Sequence, residues 1–369
     1  MSTTGRSESS ADAATLTDCL REAAFVRVVA RADGDALAAA GLLGRACSAT
    51  DTPFQVSVAA TRSAASGRLA GVQESDAAVA VGFESLGDAS LSGGALSETA
   101  FDAARKLDDA PSVALALAGV RAADGVPTGT LADRVERRPG VGLPVADLAD
   151  GLAHTTLCHA AWSGDDRQAG ALLAELGLPA DLNADARRRL ASRVALDATE
   201  SVAPRAVDAL SRLLRPHGLP DAPFETAEGY GDVLDCLAVG RPGLAAALAL
   251  GVADRADALE AWREHATATH AALRHADPAR YSGFVVCEAD APAWPLARLV
   301  RDTQSPEPLA LVVGDAGAAL ASTPDGPDAS DVLAAAVGDG AVAGTPTRAQ
   351  TSATDTETLR EGVQEALTE

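Results

Sequence analysis

The apolar positions of this chain follow two periods, and the switches between them set out its organisation. Residues 25–30 form an apolar run that reads as a strand. A short polar loop, Arg31-Ala-Asp-Gly-Asp35, separates it from an Ala/Leu-rich helix over about 36–48. Further strands are expected at 54–58 and 77–82, with a helical pattern near 97–107. The run 113–120 fits a buried strand or a buried helix, because so short an apolar stretch shows no distinguishing period. Strands alternating with helices predict a parallel sheet covered on both faces.

From about residue 166 the pattern turns helical, with apolar residues at three- and four-residue spacing over 166–176, 183–197, 204–215 and 227–250. A Pro/Gly-rich break at 217–223 interrupts it. Residues 254–275 read as one long helix, polar enough to connect two domains. Strands return at 283–287, 309–313 and 318–322, followed by a helix at 328–337, a turn Gly338-Asp-Gly340 and a closing helix at 354–367. The expected fold class is α/β: a parallel-sheet N-terminal domain with a helical extension, a long connector helix, and a smaller α/β C-terminal domain. The boundaries are a disordered tail over 1–18, a first domain over 19–253 with its helical subregion from about 166, the connector over 254–277, and the second domain over 278–369.

Composition narrows the class. Hydrophobic residues make up 47%, enough for a core and too many for disorder throughout. The best membrane candidate, 233–252, is broken by Asp235 and Arg241, and the first residues are polar rather than signal-like, so a cytoplasmic protein without membrane partners is expected. The net charge is −22, and Lys106 is the sole lysine. Such acidity would ordinarily argue against nucleic acid. An acid-rich, lysine-poor chain resembles the proteins of haloarchaea, however, and in molar salt the Debye length falls to about 3 Å, which screens repulsion from a polyanion. Cys19, Cys47, Cys158, Cys236 and Cys287 form no CxxC pair and read as small buried hydrophobes.

The segment richest in chemistry is Asp33-x-Asp35, set between an apolar strand and an apolar helix. Two carboxylates at the carboxyl end of a parallel strand project into the usual α/β ligand crevice, where oxygen donors suit Mn²⁺ or Mg²⁺. The plainer alternative is an Asp that caps the helix. The strand–DxD–helix resembles the first motif of the DHH phosphoesterase superfamily. Residues 224–251, a helix, a Gly240-Arg241 pair and a second helix ending in Leu250-Gly251, are similar to the helical segment of archaeal RecJ-like proteins. Gly338-Asp-Gly-Ala-Val-Ala-Gly344, with a strand at 347–351, sits where the DHH-associated C-terminal domain has its glycine-rich loop.

The resemblance implies a metal-dependent exonuclease or phosphoesterase that uses Mn or Mg and acts on single-stranded DNA in replication and repair. Its candidate metal ligands are Asp33, Asp35, Glu84, Asp88 and Asp124, and its candidate substrate loop holds Gly338, Gly340, Gly344 and Arg348. The departures are as informative. No histidine precedes His154, no Asp-His-His occurs, and the loop lacks its histidine. Catalysis is therefore expected to be lost, leaving a haloarchaeal RecJ-like protein that binds single-stranded nucleic acid or replisome proteins. The alternatives are an active Mn-dependent exonuclease and a pure scaffold. Arg187, Arg188, Arg189 and Arg193 form the one basic cluster, either a charged helix face or a phosphate contact. His154 and His159 read as structural or solvated, Trp162, Trp262 and Trp294 as packing residues, and His265, His270 and His275 as solvent-exposed.

Overall fold

The computed structural model describes residues 4–134, 136–179, 182–200, 205–220 and 222–368. Residues 1–3 of the expected tail, residue 204 of the expected helix and residue 221 of the Pro/Gly-rich break lie outside them.

The chain opens with helix α1 (Thr4–Glu22), where a disordered tail was expected. Ala13, Leu16 and Leu20, at three- and four-residue spacing, lie buried in the first core, which supplies the ordering that the polar composition conceals. Strand β1 (Val26–Arg31) then leads through Ala32-Asp33 into α2 (Gly34–Ala49), followed by β2 (Phe54–Ala59), α3 (Arg62–Leu69), β3 (Ala77–Val81) and β4 (Ala89–Leu91). These strands make a parallel sheet in the order β2-β1-β3-β4. Helices α4 (Leu96–Ala104) and α5 (Val113–Ala122) pack on α2, so the ambiguous run near 113–120 is a helix. Ala and Gly make this packing close. A Cβ at Gly41 would lie 2.7 Å from Ala249, so α2 meets its neighbour almost backbone to backbone.

Short helices α6 (Gly129–Ala132) and α7 (Leu148–His154) lead into the helical region of α8 (Asp166–Leu176), α9 (Ala184–Thr199) and α10 (Ala206–Leu213), which has its own apolar cluster. The stretch expected as helix over 227–250 is two helices, α11 (Ala227–Gly240) and α12 (Pro242–Leu250), because Pro242 cannot continue α11 but suits a first helical position. The long α13 (Arg255–His275) follows. His265 and His270 on α13 are buried, contrary to the exposure expected, because α13 packs against α7, α11 and the second lobe; only His275 is exposed.

The C-terminal lobe holds β5 (Ala279–Tyr281), β6 (Phe284–Glu288), α14 (Ala293–Thr303), β7 (Leu309–Gly314), β8 (Gly317–Ser322), α15 (Ala329–Val337), a 3₁₀ turn (Asp339–Ala341), β9 (Val342–Thr345), β10 (Arg348–Thr351) and α16 (Thr356–Ala366). Its mixed sheet runs β5-β6-β7-β8-β10-β9, with β6 and β7 parallel and the other pairs antiparallel. Ala343 of β9 packs into an apolar cluster with Val29 and Ala80 of the first sheet and Phe83 just after β3, which seats the second lobe against the first. Among the described residues, no helix is long and apolar enough to cross a membrane.

Candidate functional site

A cleft of about 890 Å³ opens where the carboxyl ends of β1 and β3 face α14, α15 and the β9–β10 hairpin. This is the crevice in which open parallel sheets place ligands. Asp33, Asp35, Glu84 and Asp124 line it, as do Gly344 and Arg348. The cleft wall also includes Arg31, Arg62, Trp294, Arg298 and Arg301, none of which the sequence reading assigned to a site.

Each carboxylate of the DxD has protein partners. Asp33 adopts an extended backbone and caps α2, its Oδ1 accepting from the Ala36 amide at 2.9 Å, while its Oδ2 accepts from Nε of Arg31. Asp35 lies in the first turn of α2 and is buried. Its two oxygens accept from the Leu96 and Ser97 amides at 2.8 and 2.9 Å. Ala95, the residue before helix α4, has no capping side chain, so Asp35 supplies the cap from a neighbouring helix. Burial pushes its carboxyl up to about 6, with Asp33 adding to the rise and the bonds from Ser97 and Leu96 opposing it.

The other candidate ligands are scattered. Glu84 is exposed on the rim, where its backbone carbonyl accepts from Arg62. Asp88 accepts from the Ala78 amide at 2.8 Å, near the amino end of β3 and away from the cleft. Asp124 follows α5 with φ +57°, and its carboxylate sits 3.8 Å from Nε of Arg212. Among the described residues, the one group of three or more His, Cys, Asp or Glu placed to share a cation is elsewhere, at Asp150, His154 and Asp166. There Asp150 already takes two bonds from Arg263, at 2.8 and 2.7 Å, and one from His154 at 3.0 Å.

Arginines staple the two lobes across the cleft floor. Arg31 donates to the Gly82 carbonyl at 2.8 Å in the first lobe and to the Gly344 carbonyl at 3.0 Å in the second. Arg348 donates to Asp235 at 2.5 Å and to the Ala32 carbonyl at 3.2 Å, and its guanidinium lies 4.2 Å over the Trp294 ring. Asp235 is the hub, since it also accepts from the Gly34 amide and from the Trp294 indole, both at 3.0 Å. Burial alone would raise its carboxyl, yet Arg348 and Arg298 hold it below the usual carboxylate range. The sequence offered a signal for this residue: an Asp inside an otherwise apolar helix requires a buried partner. Glu228 and Asp232 share its face of α11, and they bind His217 and Arg121 in one case and Thr156 and Trp262 in the other. Each tryptophan packs as expected but also donates to an Asp: Trp162 to Asp197, Trp262 to Asp232 and Trp294 to Asp235.

Gly338 ends α15 with φ +92°, and Gly340 abuts Ser63 of α3. Of the glycines in this loop, Gly344 borders the cleft. The basic cluster on α9 lies apart from the cleft. Arg187 and Arg189 donate to the Leu182 and Leu176 carbonyls, Arg188 pairs with Asp185, and Arg193 with Asp197 and Glu175.

Comparison with known proteins places the chain. It is 46% identical over 347 residues to the uncharacterized protein rrnAC1427 of Haloarcula marismortui, covering 91% of both chains. The chain belongs to the rrnAC1427 family. Residues 276–365 also match the family described as the C-terminal domain of that protein. Among solved structures, CDC45 from Entamoeba histolytica matches with a TM-score of 0.60 at 9% identity, covering 98% of this chain and 99% of the other. The chain therefore has the fold seen in that CDC45 structure. An exonuclease RecJ bound to manganese matches with a TM-score of 0.45 at 14% identity, covering 97% and 94%. RecJ from Thermus thermophilus in complex with Mn²⁺ matches at 0.43 and 15%, covering 98% of this chain and 55% of that one.

Proposed function

We propose that this protein is a RecJ-like member of the DHH superfamily that acts in DNA replication or repair by binding single-stranded nucleic acid, with its metal chemistry lost. One observation carries the reading: the DxD carboxylates are occupied by the protein itself, Asp33 by Arg31 and the α2 amino end, Asp35 by the α4 amino end. A two-metal phosphodiesterase needs carboxylates with lone pairs free to bridge ions about 4 Å apart. Here a guanidinium lies against Asp33, Asp88 is remote and Asp124 faces Arg212, so this donor set does not fit Mn²⁺ or Mg²⁺. The arginines beside the cleft supply positive charge from the protein, in a position to meet a backbone phosphate.

A protein partner in place of the strand, as in a scaffold or replisome subunit, is favoured by one feature. The cleft lining carries more carboxylates than guanidinium groups, with Glu84, Asp331 and Asp339 on its rim.

The test is incubation of the full chain in molar KCl with Mn²⁺ and a 5′-labelled single strand, beside an Asp33→Ala/Asp35→Ala variant. Retention of the intact strand is the expected result. Nucleotide release that the double variant abolishes would establish the active exonuclease instead, and neither binding nor release would favour the scaffold.

A further inference from the structure

Away from the cleft, helices α7 and α8 bring together a second set of ligand-type side chains. Asp150 and His154 stand one turn apart on α7, and Asp166 is the first residue of α8. One donor atom from each lies within 4.8 Å of the other two. Asp147 and Asp165 cap the two helices, which fixes where each begins and so holds the three side chains in one place.

The imidazole is the centre of the set. The His154 side chain is only 10% exposed, and its ring lies 5.8 Å from that of Trp262. Three oxygens face its Nδ1: the Asp150 carbonyl at 2.9 Å, Asp150 Oδ1 at 3.0 Å and Asp166 Oδ1 at 3.8 Å. A ring nitrogen carries one proton at most, and here that proton is divided between the two oxygens of Asp150. Asp166 accepts no hydrogen bond from any described residue. Arg263 donates to both carboxylate oxygens of Asp150. Each of those oxygens has two lone pairs, so each retains one once Nδ1 gives up its proton. Arg263 then stands where an outer partner orients a ligating carboxylate. The guanidinium does not neutralise the cluster, because Asp150, Asp166 and Asp147 all act on it.

We propose that His154 Nδ1, Asp150 and Asp166 bind a divalent transition-metal ion, with Zn²⁺ the best match, in place of the Nδ1 proton. One imidazole with carboxylates suits Zn²⁺ better than Mg²⁺ or Ca²⁺, which take oxygen ligands throughout. Bonds of about 2.0–2.2 Å to a tetrahedral ion set neighbouring ligands about 3.4 Å apart. The observed separations of 3.0 and 3.8 Å from Nδ1 bracket that value. Asp166 has a side chain 66% exposed, so it turns freely to close the remaining span, and water completes the coordination. Such an ion would tie α7 to α8, and through Arg263 to α13. The site is independent of the strand-binding reading, since none of its residues lines the cleft.

The test uses the full chain, stripped of metal with a chelator and dialysed into molar KCl with excess Mg²⁺. Zn²⁺ is titrated by calorimetry and Co²⁺ by its visible absorption. The proteins are wild type, Asp166→Asn, His154→Gln and Asp33→Ala/Asp35→Ala. Wild type and the Asp33/Asp35 double variant are expected to bind one ion per chain, with Co²⁺ bands that Zn²⁺ removes. Asp166→Asn changes an exposed side chain and should weaken binding about 10- to 100-fold or more, since losing an outer-shell partner alone costs that much. His154→Gln should abolish the bands, and Zn²⁺ should raise the thermal midpoint of wild type but not of this variant. Wild type needs no folding control, so its failure to bind Zn²⁺ or Co²⁺ overturns the site outright. A folded Asp166→Asn that binds as wild type does overturns it, as does binding that excess Mg²⁺ suppresses, the mark of a diffuse acidic surface. Binding lost in the Asp33/Asp35 double variant but kept in His154→Gln would place the ion in the cleft, overturning this site and the loss of metal chemistry there.

Discussion

Mild acid is expected to destabilise this protein through histidines that are buried in neutral form. His270 is fully buried on α13. Its Nε2 donates to the Thr155 carbonyl at 2.9 Å, which leaves Nδ1 to accept from Nδ1 of His159 at 3.1 Å. A second proton on His270 would set one N–H against another. Burial, with His159, Arg274 and His154 nearby, pushes His270 down to about 3. Burial likewise pushes His265 down to about 4, although its bond to the Trp294 carbonyl and the Asp235 charge oppose the shift. In the unfolded chain both titrate near 6.5. The native state therefore binds fewer protons than the unfolded chain below that value, and stability present above about pH 6.5 falls away as the pH drops. At pH 5 each ring costs about 2 kcal/mol relative to pH 8. Asp35 acts with opposite sign, because its carboxyl is raised to about 6; it returns about 1 kcal/mol at pH 5. Burial also pushes His159 down to about 4, which adds about 2 kcal/mol, so the net loss is about 5 kcal/mol. Urea unfolding at pH 8, 6.5 and 5, in one KCl concentration, measures it. His270→Gln, which keeps a donor for Thr155, should reduce the pH-dependent loss by about 2 kcal/mol. A wild-type midpoint that does not move between pH 8 and 5 would refute the reasoning, as would a variant with the wild-type slope.

Three further outcomes are expected. Asp35→Ala should cost about 1–2 kcal/mol by removing the cap from α4; equilibrium unfolding checks this, and an unchanged midpoint would contradict the capping role. Asp235→Ala leaves Arg348, Arg298, the Trp294 indole and the Gly34 amide around an emptied hub, for a loss of about 3–5 kcal/mol. In that variant limited proteolysis should cut first between the lobes, and a cut elsewhere would count against the hub. Gly229→Ala would place a Cβ 2.1 Å from the Pro144 nitrogen and 2.2 Å from the Leu143 carbonyl carbon. Because that obstacle is backbone, α11 must shift, with a loss of about 1–3 kcal/mol or more; wild-type thermal stability would show that the contact relaxes.

Much of the architecture was legible in the sequence because it is local. The parallel sheet, the helical region, the long α13 and the second sheet each announce themselves by apolar period, and Pro242 and Gly251 mark where helices stop and start. What misled was burial. The polar first residues gave no sign that Ala13, Leu16 and Leu20 would pack into the core, and the five-residue recurrence of His265 and His270 gave no sign that a second lobe would cover one side of α13. Helix α14 went unread because Pro and Trp interrupt its start, although it carries Trp294, Arg298 and Arg301.

The sequence by itself determined that a strand runs into Asp33 and Asp35 at the mouth of a parallel sheet, since both features lie within a dozen neighbouring residues. It also determined that no Asp-His-His stands beside them. Only the tertiary structure decided what those carboxylates do. The partner of Asp35 lies on α4, and Asp235 meets an arginine more than a hundred residues away in the chain. A carboxylate's chemistry depends on which donors fill its lone pairs, and folding alone chooses those donors. In a chain with 52 acids, an Asp in the sequence marks a charge, and its neighbours in space make it a cap, a hub or a ligand.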